Sequence, residues 1–140
     1  FARLDDTVGS HLRDTPSATD ARTRFARGIQ AFVRAAAQLP ELNRIMVQEA
    51  TIDSDRLHWI VERHTRPRFE TLIADWRALR GGGEVPDVDE VVLYYSLVGA
   101  ASLPYVNAPE ARLLGHDTLS PAFIDAHADS LVLLFLGGAK

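Results

Sequence analysis

The chain has 140 residues with 15 basic against 19 acidic side chains, a formal net charge of −4, so it carries no basic footprint for nucleic acid or an anionic membrane. It has no cysteine, which excludes disulfides and thiolate chemistry. A hydrophobic content of 46% and a charged content of 24% suit one globular domain over residues 1–140, and the apolar run Leu131–Leu136 is far too short to span a membrane.

The periodicity predicts five or six helices and no strand. Phe1, Leu4, Val8 and Leu12 recur at three- and four-residue steps, the pattern of an amphipathic helix. After Pro16, Ser17 and Asp20 are spaced as a capping box. The helix they open has the apolar stripe Ala21, Phe25, Ile29, Phe32, Ala36 and Leu39, with Gly28 leaving room for close approach of a neighbour. Pro40 breaks it and opens a short helix carrying Leu42, Ile45, Met46 and Glu49. A long helix is expected from about Ser54 to Leu79, stopped by Gly81, Gly82 and Gly83. Pro67 falls in its middle, where it lacks an N–H and crowds the carbonyl of Arg63, so a kink is expected there. Asp87 with Glu90 caps the next helix, near Asp87–Val106. Asn107–Leu119 reads as a loop or a single turn, and Ser120 with Pro121 opens the last helix, Ser120–Gly137.

The last two long helices are too apolar to have one buried side. On a wheel, Val92, Ser96, Gly99, Ala100 and Leu103 form one face, and Tyr94, Val98, Ala101 and Tyr105 the opposite one. A helix apolar all round is buried all round, and a chain of this size has little interior to enclose two of them. The expectation is a homodimer in which the first face, together with Phe123, His127, Ser130 and Leu134 of the final helix, packs against a second copy.

The inner faces supply candidate binding residues. His64, Thr65 and Arg68 share the long helix's apolar face with Leu57, Ile60, Val61, Leu72, Trp76 and Leu79, beside Pro67. Polar groups facing a core need partners, since leaving one unpaired costs about 1–3 kcal/mol. Either they line a cavity and orient a small ligand, or His64 bonds a carbonyl freed by Pro67 and Arg68 pairs with Glu49. Tyr94 and Tyr105 each offer an apolar body with one polar tip. The candidate effector-binding set is therefore Phe25, Ile29, Phe32, Met46, Glu49, Val61, His64, Thr65, Arg68, Tyr94, Val98 and Tyr105.

Catalytic signatures are missing: there is no HExxH, no nucleophile elbow, no phosphate-cradling glycine loop and no paired carboxylates at a plausible site. His58 and Glu62 share a helix face, but Trp59 and Arg63 beside them suit a solvated or partner-facing surface better than a metal site. No catalytic residue, metal or cofactor is assigned. The rival reading is a small cofactor-independent helical enzyme with His64 as base and Arg68 steadying an anionic substrate.

Several of these motifs also occur together in an order that resembles a known family. Leu39-Pro40-Glu41-Leu42, Glu49 closing the short helix, Pro67 in the long helix, the glycine turn, Asp87 opening a helix with Leu97-Val98-Gly99-Ala100, then Leu113-Leu114-Gly115-His116-Asp117 and a terminal Leu133-Leu134-Phe135-Leu136-Gly137-Gly138 resemble the C-terminal regulatory domain of TetR/AcrR-family transcriptional regulators, from about Leu39 to Gly138. The resemblance implies an all-α bundle whose last two helices pair with their mates in a four-helix dimer interface, and a ligand cavity bounded by the earlier helices. It implies a bacterial, cytoplasmic regulator, usually a repressor, released from its operator by a small apolar or aromatic effector. The family's helix-turn-helix domain binds operator DNA and is not in this sequence; residues 1–14 resemble the helix that links the two domains.

Overall fold

The computed structural model describes residues 20–137 together with Arg3 and Asp6. Apart from those two, the helix expected over Phe1–Leu12 lies outside the described residues, as does Ser17. Among the described residues the chain is all-α, without strands, and no helix is long and apolar enough to cross a membrane.

Helix α1 (Ala21–Gln38) is capped by Asp20, whose carboxylate accepts from the Thr23 backbone N–H at 2.8 Å and from the Thr23 hydroxyl at 2.8 Å. The helix thus starts three residues later than a box opened at Ser17 implies. Pro40 opens α2 (Pro40–Glu49), where its missing N–H costs nothing. Asn43 is buried beneath this junction and donates to the Ala36 carbonyl.

The long helix is continuous but irregular. It runs as α3 (Asp55–Ile60), a π turn (Val61–Thr65) and α4 (Arg66–Gly81), with Ile60, Val61, Thr65 and Arg66 all in the right-handed helical region. The Arg66 N–H reaches back five residues to the Val61 carbonyl. One widened turn just ahead of Pro67 therefore absorbs the donor that proline lacks. After Gly81 the chain turns through Gly83 at φ +71, a conformation that favours glycine.

Helix α5 (Glu90–Val106) begins at Glu90 and is capped by Asp89, which accepts from the Val91 and Val92 N–H groups. The start is later than the Asp87 cap expected from spacing, for a visible reason. The Val88 carbonyl is claimed by the Trp76 indole N–H and by Arg80, each at 3.1 Å, which holds the approach segment against α4. A short α6 (Ala108–Leu113) follows, closed by Gly115 at φ +88, and α7 (Pro121–Leu136) is capped by Ser120.

The bundle is organised around α1, which packs against α7, α4 and α5, while α2 lies on α5. Arg22 donates to the Leu136 carbonyl at 2.6 Å, Gln30 meets Asp129 at 3.3 Å and Arg34 meets Asp125 at 2.7 Å. As α1 advances its partners recede along α7, so the two helices are antiparallel, and Arg22 sits at the negative end of α7. The core joins Phe25, Ile29, Val33 and Ala36 of α1 to Trp76 and Leu79 of α4, Leu93, Leu97, Ala101 and Tyr105 of α5, and Ala128 and Leu131 of α7. Gly28 is not approached: a Cβ built there meets no described atom within 4 Å.

Candidate functional site

Two regions carry the features expected of a site, and they lie on different elements. The first surrounds the π turn. His64, inside the turn, is buried, and its ring lies edge-on to Trp59 at 5.3 Å. Thr65, Arg68 and Val61 are half-buried. Arg68 donates through Nε to the His64 carbonyl at 3.2 Å, which ties the guanidinium to the irregular turn. Across from it, Tyr94 of α5 packs edge-on against Phe69 at 4.9 Å. Burial pushes the Tyr94 hydroxyl above its ordinary pKa, and the charge of nearby Arg68 offsets part of that rise. The structure thus places Arg68 of the expected set at the His64 carbonyl and near Tyr94; Met46, Val98 and Phe32 are half-buried on α2, α5 and α1. Glu49 is not Arg68's partner. It forms an ion pair with Arg56 at 2.9 Å across the turn between α2 and α3, because seven residues and one tight turn bring those side chains side by side.

Three residues expected to line the effector site belong to the core instead. Phe25 and Ile29 are 1% and 0% exposed, and Phe25 stacks on Trp76 at 5.5 Å. Tyr105 is 1% exposed and faces α7. The inner row of α5 is Leu93, Leu97, Ala101 and Tyr105; the expected inner face shares Ala101 and Tyr105 with it, while Tyr94 and Val98 lie at its flank.

The second region is the outward side of α5, α6 and α7. Val92, Ser96, Gly99 and Leu103 of α5 and Ser130 and Leu134 of α7 are exposed, as are Leu113, Leu114 and Leu133. Leu134 is 77% exposed and Val92 58%, large exposures for apolar side chains. A groove of about 380 Å³ opens on this side between α5 and α6.

Phe123 and His127, grouped by spacing with this outward face, turn inward, and half-buried Ala100, which lines the groove, offers its carbonyl to His127. Pro104 has no N–H to give the Ala100 carbonyl, and His127 Nε2 supplies the missing donor at 2.9 Å. A carbonyl can only accept, so Nε2 carries the hydrogen and Nδ1 is bare. Nδ1 accepts from the Tyr105 hydroxyl at 2.6 Å, and Phe123 packs on the imidazole at 5.6 Å. Burial holds His127 below the ordinary histidine pKa, partly offset by its bond to Ala100, and raises Tyr105 to about 12. The link from Pro104 to His127 was available in the sequence as a proline inside a helix and a histidine on the next apolar one. Only the packing of α7 on α5 identifies them as partners.

Among the described residues no group of three or more His, Asp or Glu side chains could hold a metal ion. The arrangement offers a polar cluster at an irregular helix and a separate apolar surface. No family model, curated protein or solved structure matches this chain.

Proposed function

We propose that this chain is an effector-binding and dimerisation domain of the TetR/AcrR type, from a regulator that acts in the bacterial cytoplasm, usually as a repressor. The observation that carries the reading is the exposed apolar side of α5 and α7, where Val92, Leu103, Leu133 and Leu134 are each more than half exposed. Two copies joined through these helices make a four-helix interface, and a specific interface of this kind covers about 800 Å² per partner.

The π turn supports the ligand half of the reading. Irregular helical turns collect at functional sites, and this one presents His64, Arg68 and Tyr94 beside half-buried apolar side chains. A small apolar or aromatic molecule with an acid or carbonyl group fits that chemistry. These residues bind and orient; no cofactor and no catalytic step is assigned to them. Ligand contact with the irregular turn biases α3 and α4 between two arrangements. In the intact regulator this alters the separation of two DNA-binding heads that must read half-sites about 34–36 Å apart. A coupling of about 1–3 kcal/mol suffices.

Native mass spectrometry on the gently purified chain tests the reading. A dimer carrying extra small-molecule mass that is lost in Arg68→Ala supports it; a monomer at micromolar concentration contradicts it.

A further inference from the structure

We infer that the groove between α5 and α6 is an anchor pocket for Leu113 of a second copy of this chain, with the partner's Arg112 beside Glu110. The inference rests on the dimer half of the proposed function and adds the contact that sets how two copies register.

The groove is lined by Gly99, Leu103 and Pro104 of α5 and by Glu110, Ala111 and Leu114 of the α6 segment. Its α5 wall is low because Gly99 carries no side chain, and a Cβ placed there would meet no described atom within 4 Å. Beside it Leu113 is 91% exposed, the largest exposure among the apolar side chains of this surface. Among the described residues nothing covers this leucine, and Leu114 next to it is also exposed, at 71%. Protrusion and groove sit on one element, Leu113 next to the groove-lining Leu114. Two-fold symmetry needs that arrangement, since the same patch must serve as both donor and receiver.

Charge completes the match. Glu110 lines the groove, while Arg112 adjoins the protruding leucine, and neither forms an ion pair among the described residues. Reciprocal docking places each arginine at the other copy's glutamate, giving two opposite-charge contacts at the rim of two apolar anchors, the arrangement that fixes register.

The test is sedimentation equilibrium on the full 140-residue chain and exposed-surface variants, with thermal melting to confirm that each still folds. Leu113→Ser, which empties the anchor, and Gly99→Leu, which fills the groove, each raise the dimer Kd by roughly tenfold or more. Glu110→Arg and Arg112→Glu each weaken the dimer severalfold, and combining them restores it to within about threefold of wild type. If all these variants dimerise as the wild type does while Leu134→Asp is monomeric, the dimer stands and the anchor is wrong. If the wild type itself is monomeric at high micromolar concentration, both are wrong.

Discussion

His127→Ala is the most informative single change inside the subunit. The imidazole joins two groups: the Ala100 carbonyl, which Pro104 leaves without its helical donor, and the Tyr105 hydroxyl, on a side chain that is 1% exposed. Truncation leaves both unpaired, at about 1–3 kcal/mol each, and removes the ring on which Phe123 packs. The expected loss is about 3–5 kcal/mol, or roughly 10–15 °C in Tm for a chain of this length. Tyr105→Phe breaks only the bond to Nδ1 and costs about 1–2 kcal/mol. In the double variant both partners of that bond are gone, so its loss falls short of the sum of the singles by about 1–2 kcal/mol.

A pH signature accompanies this. The folded His127 pKa lies below its unfolded value of about 6.5, so the unfolded chain takes up the proton first as pH falls. The associated stability is complete above about pH 6.5 and is lost as pH drops toward the folded pKa. Urea denaturation at fixed protein concentration from pH 8 to 5 should show that component in the wild type and lack it in His127→Ala. A His127→Ala variant within about 1 kcal/mol of wild type at pH 8 refutes the bridging role.

Asp20→Ala removes the α1 cap and should lower the urea midpoint with unchanged m-value. Trp76→Ala, which loses the indole bond to Val88 and the Phe25 contact, should cost about 3–5 kcal/mol. Pro67→Ala restores an N–H to the long helix and should raise Tm by about 2–4 °C; a lower Tm means that the π turn is held by something other than the proline. Arg77→Ala should leave Tm essentially unchanged, since the pair it makes with Glu90 is solvent-exposed on the arginine side.

Helix number, the glycine turn after α4, the proline starts of α2 and α7 and the exposed row Val92–Ser96–Gly99–Leu103 were legible because each depends on local chemistry or on one helix's periodicity. Tertiary claims on particular atoms were not. The α5 start moved to Asp89 because Trp76 and Arg80, both on another helix, hold the Val88 carbonyl. His127 and Phe123 turned inward because a proline four residues after Ala100 left a carbonyl to be filled from α7. Tyr94 and Val98 lie at the flank of the inner row of α5, which is set by how α1, α4 and α7 crowd it rather than by its own wheel. A helix apolar on all sides gives its wheel no contrast, so a shift of one position is invisible until the neighbours are placed. At the π turn, the two readings open for Glu49 were pairing with Arg68 and contact with a ligand; neither was its ion pair with Arg56, which is decided by the turn between α2 and α3.

The most direct test of the central claim is sedimentation velocity on the wild-type chain and on Leu134→Asp across the micromolar range. Leu134 is 77% exposed, so the substitution leaves the subunit fold intact and its melting curve close to that of a folded monomer. The account predicts a dimer for the wild type and a monomer for the variant. A wild type that sediments as a monomer throughout, or a variant that dimerises equally well, contradicts the assignment of the α5–α7 face as the interface.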